Sequence, residues 1–251
     1  MIYVCIPAHD EAPTIGVLLW KVRNALGESS RDFKILVYDD ASTDDTQAIL
    51  ERYQRVLPLD VLSSEERIGY GAAVEQLLRH VASSSSYPKR DCAVVLQGDF
   101  TEDPNDIVSL VKALEGGADI VAGIANLDTH QTSLGVKIVR RLSRWPLSTV
   151  FRGAPVSDPL NGLRAYRVIV LKKALRGGPE NAPFVRSDGW AANAELLSRL
   201  IPHARRTTEI PLEVRHDLRQ RRSRFKPLRT LMALMKLRGR DLWARSDRQG
   251  I

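Results

Sequence analysis

Cysteine is nearly absent from this chain: there are two copies in 251 residues, Cys5 and Cys92. Each sits inside a strand-like apolar run, and neither has a C-x-x-C or similar ligand spacing, which excludes a disulfide scaffold and a zinc module. Buried, reduced thiols are expected, with the protein in the cytoplasm, at most at the inner face of the membrane. Aromatic residues make up 6%, and they form no interleaved stacking platform beside the basic residues. With no recognisable nucleic-acid module either, no nucleic-acid partner is expected. No apolar run approaches the roughly 18 to 20 residues that span a bilayer, so membrane contact is expected to be peripheral. Met1 leads straight into Ile2-Tyr3-Val4-Cys5-Ile6, without the charged start of a signal peptide. Lysine is scarce as well: 9 Lys stand against 28 Arg, in a net charge of +7. From Arg199 onward 15 basic residues face 5 acidic ones, which points to an anionic partner for that end, met by planar, bidentate donors.

What is present is a repeated plan. Ile2 to Ile6, Phe33 to Tyr38, Leu59 to Leu62, Cys92 to Leu96 and Ala118 to Gly123 read as short buried strands. Between them apolar residues recur at helical spacing: Ile15, Leu18, Leu19, Val22 and Leu26, then Ile49, Leu50 and Tyr53. Val74, Leu77, Leu78 and Val81 follow, then Ile107, Leu110, Val111 and Leu114. Five strands alternating with four helices predict an α/β fold with a mostly parallel sheet and helices on both faces. The 43% hydrophobic content suffices for one large domain, or one domain with an appendage.

The loops carry the chemistry. Leu96-Gln97-Gly98-Asp99-Phe100-Thr101-Glu102-Asp103-Pro104 follows the fourth strand, with Pro104 suited to the first turn of a helix. Asp99 therefore falls at the C-terminal edge of the sheet, where open α/β folds bind ligands, and is the first catalytic candidate. Gly69 and Gly71, in Arg67-Ile68-Gly69-Tyr70-Gly71, permit close backbone approach to a ligand, and Arg67 adds a phosphate or base contact. Asp158, Asn161 and Arg164 bring a carboxylate, an amide and a guanidinium together. Glu195 lies two turns into a helix opened by Ser187-Asp188-Gly189, either solvated or aimed into the site. Arg206 to Val214 reads as an edge strand, and Arg215, Arg219 and Arg224 belong to a basic run suited to closing over a pyrophosphate.

Two helices are ambiguous in partner. From Leu134 to Val150, Lys137, Arg140, Arg141 and Arg144 share one face, and Ile138, Leu142, Trp145 and Thr149 another, with Pro146 expected to kink the helix. It either lies on an anionic membrane or acceptor site, or packs into the core with a solvated basic side. Pro227 to Leu237 carries Leu228, Leu231, Met232 and Met235 as an expected core stripe, with an interfacial role as the alternative.

Together these loops resemble the family-2 glycosyltransferases of GT-A fold, especially the polyprenol-phosphate sugar synthases of the dolichol-phosphate mannosyltransferase type. Pro7-Ala8-His9-Asp10-Glu11 resembles that family's P-A-Y-N-E nucleotide loop and Asp39-Asp40-Ala41-Ser42-Thr43-Asp44 its D-D-G-S-T-D. Arg67 to Ala73 matches its Gly-Ala segment. The resemblance implies that Pro7, Ala8, His9, Glu11, Asp39, Asp40, Arg67, Gly69 and Gln97 meet the nucleotide. Gln97-Gly98-Asp99 is similar to D-x-D with its first Asp replaced; Asp99 is then the ligand of Mg²⁺ or Mn²⁺ on the diphosphate. Asp158 to Arg167 resembles D-x-x-S-G-F-R near donor sugar and acceptor, bringing in Asn161 and Arg164, and Gly189 to Glu195 the later G-Y-x-x-x-x-E helix. Ser223-Arg224-Phe225 resembles the element closing on the diphosphate, adding Ser223 and Arg224 to Arg215 and Arg219. Arg140 or Arg141 with Ser143 resemble the R-x-x-S that meets an acceptor phosphate, although Gly123-Ile124-Ala125 replaces that type's G-S-R.

The resemblance thus implies one GT-A domain over 1–225, followed by a basic amphipathic helix and tail over 226–251. It implies an inverting transfer of sugar from a nucleoside diphosphate sugar to a polyprenyl phosphate or other lipid-linked acceptor. A hydroxyl acceptor would need a base, for which Asp158, Asp188 and Glu195 are candidates in that order. A soluble hydroxyl acceptor, a nucleotidyltransferase, a catalytically inactive relative and a nucleic-acid binder are the alternatives.

Overall fold

Alternation along the first strand sets the architecture. In β1 (Ile2–Ala8) every residue is buried. Tyr3 and Cys5 enter one hydrophobic core, while Ile2, Val4, Ile6 and Ala8 enter a second on the opposite face, as the two-residue period of a strand requires. A strand buried on both faces needs helices above and below it. The computed structural model, which describes residues 1–125, 134–151, 156–176, 182–212 and 227–238, has that arrangement.

The chain continues through α1 (Ala12–Gly27), β2 (Phe33–Asp40), α2 (Thr46–Gln54), β3 (Leu59–Ser64), α3 (Tyr70–Ser84), β4 (Cys92–Val95) and α4 (Asp106–Glu115). It is completed by β5 (Ile120–Ala125), α5 (Leu134–Val150), β6 (Arg164–Arg167), α6 (Val168–Leu175), α7 (Gly189–Leu200), β7 (Thr207–Leu212) and α8 (Pro227–Arg238). Helices α1, α2 and α4 cover one face; α3, α5, α6, α7 and α8 cover the other. Cys5 and Cys92 are buried free thiols, and burial raises the pKa of both, that of Cys92 to about 11.

The seven strands run in the order β3-β2-β1-β4-β6-β5-β7. Strands β1 to β4 are parallel, and β7 pairs parallel to β5 at the sheet edge, where the sequence predicts an edge strand. The short strand after the Asp158 turn, β6, is antiparallel to both neighbours and separates β4 from β5. Because β1 lies between β2 and β4, the chain moves outward one way to β3 and then crosses back to β4. The crevice between the carboxyl ends of β1 and β4 is therefore a topological switch point.

Two expectations need correction, and one alternative is decided. Helix α4 begins at Asp106 with Asn105 as its N-cap, so Pro104 precedes the first turn and its carbonyl accepts from the Ile107 N–H at 3.2 Å. Of the two readings of α5, the structure fits the one with an outward apolar face: Ile138, Leu142 and Trp145 are exposed, whereas Val139, Ser143, Leu147 and Val150 are buried. On α8, Met232 and Met235 of the expected core stripe are exposed, and Leu234 and Leu237 are buried with α3, α6 and α7 residues. Both helices carry apolar residues on more than one side, and their mutual packing, which periodicity does not contain, decides which side is covered. Helix α5 runs from Leu134 to Val150 with Pro146, where a kink is expected, inside it.

Candidate active site

The loops that leave β1, β2 and β4 are laced together at the switch point. The Asp10 carboxylate accepts from the Thr43 N–H at 2.8 Å, and the Asp10 N–H donates to Ser42 Oγ at 2.9 Å. The Glu11 N–H donates to Thr46 Oγ1 at 2.9 Å, and Thr14 Oγ1 donates to the Gly98 carbonyl at 3.0 Å. Asp39 is buried and accepts from the Ser42 N–H at 3.1 Å. Asp40, also buried, accepts from the Ile68 and Gly69 N–H groups at 2.6 and 2.9 Å and has the exposed Arg67 guanidinium 3.7 Å away. Pro7, Ala8, His9, Glu11, Asp39, Asp40, Arg67 and Gly69 thus belong to one connected edge. The second glycine has a different reason. A Cβ on Gly71 would come within 2.3 Å of the Ser187 carbonyl oxygen, so its close approach is to the protein's own backbone.

Asp99 is buried in the loop that follows β4, and one carboxylate oxygen accepts from Thr101 N–H and Oγ1–H at 3.2 and 2.7 Å. Phe100 between them has φ of 62°, the left-handed region that a bulky residue enters only when its surroundings hold it there. Gln97 turns to Glu102, donating its N–H at 2.9 Å and its side-chain amide at 3.4 Å. Glu102 is a residue the sequence reading passed over. Burial pushes its pKa up to about 8, with Asp99 adding to the rise and the Gln97 and Leu163 N–H groups opposing it.

The sign of the resulting pH effect is fixed. In the unfolded chain Glu102 ionises near 4.5, whereas in the fold it keeps its proton to about 8. The free protein therefore loses stability from this group as pH rises through that window. Glu102→Gln is expected to flatten this part of the curve, seen by comparing melting temperatures of the two proteins between those limits; parallel curves would contradict it.

The acceptor-side candidates divide. Asp158 is buried in the turn before β6, held by Glu209 of β7, which accepts from the Ser157 and Asp158 N–H groups at 2.6 and 3.3 Å. Asn161 is buried and accepts from the Leu163 N–H at 2.9 Å. Arg164 has no exposed surface; its two terminal nitrogens donate to the Asn193 and Pro159 carbonyls, each at 2.6 Å. Arg164 is accordingly a buried brace between that turn and α7. Arg141 is exposed and Ser143 buried, so these two do not share a surface. The side chain of Arg140 and all of Arg215, Arg219, Ser223 and Arg224 lie outside the described residues.

Glu195 is fully buried, and its carboxylate accepts from the Arg186 and Ser187 N–H groups at 3.0 and 2.8 Å and from Arg199 at 2.9 Å. Burial raises its pKa, but Ser187, Arg199 and Arg186 outweigh that and hold it low. Glu75 on α3 does the same one step earlier, accepting from the Phe184 and Val185 N–H groups at 2.9 and 2.7 Å. Two carboxylates thus bind four consecutive amides and fix the approach to Asp188, which accepts from the Gly71 N–H at 3.1 Å. Glu75 carries a signal that sequence reading missed: it stands four residues after Gly71 and three before Leu78, on the buried side of α3.

The donor set suits a hard divalent cation. Among the described residues no three His, Cys, Asp or Glu side chains converge as a metal cage; the carboxylates of the loop after β4 are Asp99, Glu102 and Asp103, of which Asp99 is the expected ligand. Mg²⁺ and Mn²⁺ sites of this kind are completed by phosphate oxygens and water.

Comparison with known proteins follows the same lines. Residues 3–174 match the family model "Glycosyl transferase family 2". An undecaprenyl-phosphate 4-deoxy-4-formamido-L-arabinose transferase of Pseudomonas fluorescens is 26% identical over 93% of this chain and 63% of its own length. That of Edwardsiella ictaluri is 28% identical over 84% of this chain and 58% of its own length. The chain thus spans about three fifths of these relatives. Among solved structures, glucosyl-3-phosphoglycerate synthase of Mycobacterium tuberculosis with Mn²⁺, UDP-glucose and phosphoglyceric acid superposes with a TM-score of 0.62. It is 22% identical, over 95% of this chain and 79% of that one. The fold is GT-A.

Proposed function

Since the chain belongs to glycosyl transferase family 2, we propose that it moves a sugar from a nucleoside diphosphate sugar to a polyprenyl phosphate or another lipid-linked anionic acceptor, with inversion. The observation that carries this reading is Asp99, buried in the loop that leaves β4 at the switch point, on the same sheet edge as the Asp10 loop and the end of β2 at Asp39-Asp40. Asp99 would hold Mg²⁺ or Mn²⁺; when bound, the cation supplies positive charge against the departing diphosphate. Asp40 orients the turn that presents Arg67, a second positive group for the same oxygens. Arg215, Arg219, Ser223 and Arg224 are assigned to the diphosphate on the family resemblance, and Arg140 or Arg141 to the acceptor phosphate.

In the reaction the bond from the anomeric carbon to the diphosphate breaks as an acceptor oxygen bonds to the opposite face. An ionised phosphate acceptor attacks without a base. For a hydroxyl acceptor the base candidates keep the order Asp158, Asp188, Glu195: Asp158 accepts from the Leu160 N–H at 3.3 Å and Asp188 from the Gly71 N–H at 3.1 Å, whereas Glu195 is held by two backbone N–H groups and Arg199. The relatives' acceptor, undecaprenyl phosphate, and the neighbours' UDP-glucose with Mn²⁺ and UDP with Mg²⁺ set the classes to try first. The test is a melting-temperature panel of UDP- and GDP-sugars with Mn²⁺, Mg²⁺ or EDTA, followed by transfer of labelled sugar to undecaprenyl phosphate. A metal-dependent shift with one nucleotide supports the reading, and no shift with any overturns it.

The lipid acceptor is favoured over a soluble one by α5 and α8. Ile138, Leu142 and Trp145 on one, and Met232 and Met235 on the other, are exposed on two helices packed together, with Arg141 and Lys236 exposed among them. Apolar side chains bordered by cations suit the surface of an anionic bilayer, and among the described residues no helix is long and apolar enough to cross one. We expect co-sedimentation with vesicles containing anionic lipid, and a loss of at least about tenfold in partition for Leu142→Ser with Trp145→Ser, given the transfer energy of two large side chains. Equal partition of the two proteins would remove the membrane from this reading.

A further inference from the structure

Gln97 occupies the place of a carboxylate in the motif it resembles, and its contacts give the replacement a physical reason. Both its N–H and its side-chain amide face the Glu102 carboxyl group, at 2.9 and 3.4 Å. The loop between them is closed into a ring, with Asp99 tied to Thr101 inside it and Phe100 at positive φ. The ring also touches the acceptor-side turn. A Cβ on Gly162 would lie 2.7 Å from Gln97 Nε2 and 3.2 Å from Glu102 Oε1, so the backbone at 162 rests directly on the pair. A second carboxylate at position 97 would face Glu102 and offer it no side-chain N–H.

We propose that Gln97 is a positioning residue: paired with Glu102, it clips the 97–102 loop around Asp99 and seats the Asn161-Gly162 turn against it. The amide is thus a built feature of this site rather than a weakened metal ligand, and donor and acceptor loops share one support. The proposal rests on the glycosyltransferase reading only for what Asp99 binds. The clip itself is a property of the free protein.

The test is a polarity-swap cycle with the isosteric variants Gln97→Glu, Glu102→Gln and the two combined, at about pH 8.5, above the point where Glu102 gives up its proton. Melting temperature is read on the free proteins, and Mn²⁺-dependent UDP and GDP affinity by calorimetry well below melting. Gln97→Glu is expected to lower both, with affinity down roughly tenfold or more, the range for losing a support around a metal site. The double variant should recover most of each loss, because amide and carboxylate have exchanged places. Gln97→Asp, which restores the family's motif, should not tighten Mn²⁺ binding.

Additive losses in the cycle, or tighter Mn²⁺ binding by Gln97→Asp, would overturn the proposal. Recovery of melting temperature without recovery of affinity would also overturn it, by reducing the pair to a stability element. If wild-type protein binds neither nucleotide with Mn²⁺, the glycosyltransferase reading fails, and the cycle in the free protein still decides the clip.

Discussion

Asp99→Asn is expected to abolish metal-dependent nucleotide binding while leaving the fold intact. The substitution keeps a side-chain oxygen for the Thr101 N–H and Oγ1–H, so the free variant should melt close to wild type. What it removes is the negative charge that a hard cation requires. Wild-type protein at a hundredfold excess of nucleotide and metal over Kd gains about 2.7 kcal/mol, several degrees in a domain of this size. The variant should show none of that gain with Mn²⁺ or Mg²⁺. Turnover should fall about 10²- to 10³-fold or more, the scale for losing one charge-stabilising element from a transition state. An unchanged metal-dependent shift would mean that another group holds the cation, and the mechanism built on Asp99 would have to be abandoned.

Glu195→Ala should have its largest effect on stability, a loss of roughly 3–5 kcal/mol, because a buried charge partner and its hydrogen bonds disappear together. Arg186 and Ser187 N–H groups and the Arg199 guanidinium would be left facing a cavity. At about 2–4 °C per kcal/mol for a chain of this length, melting should fall by some ten degrees. Turnover per folded molecule should change far less. A catalytic base would give the reverse pattern, with normal melting and collapsed turnover, and that result would return Glu195 to the chemistry. The pH dependence runs opposite to that of Glu102. The Glu195 pKa lies below its ordinary value of 4.5, so its stabilisation is complete above that pH and is lost as pH falls through the folded value. Acid denaturation should therefore begin at higher pH in Glu195→Gln.

The parallel part of the sheet was legible because β1, β2 and β4 are buried on both faces and read as near-continuous apolar runs. That Asp99, Asp39 and Asp40 fall at the sheet's carboxyl edge was legible because each follows such an apolar run, although Asp39 and Asp40 are the last residues of β2 rather than part of its loop. Local pattern could not show that β6 lies antiparallel between β4 and β5, since strand order is set by pairings far apart in sequence. Nor could it separate a carboxylate that does chemistry from one that binds backbone N–H groups. Glu195 and Arg164 carry charges in suggestive places, yet their partners at Arg186, Ser187, Pro159 and Asn193 are brought to them only by the fold. On α5 periodicity leaves open which face is covered, because α8, with which it packs, begins 77 residues after α5 ends.

The antiparallel β6 has a consequence for how the chain reaches its native state. Strands β1 to β4 can assemble as they emerge, each on a neighbour already present, but β5 has no place on β4 until residues 164–167 arrive from beyond α5. Until then β4 presents an open edge of buried-type residues, Cys92 to Val95, the kind of surface that pairs with other chains. Closing the sheet is therefore a late, long-range step, which slows folding because the intervening loop must be ordered first. That step also delivers the Asp158 turn, so a nascent chain acquires this proposed part of its site only when its sheet becomes continuous.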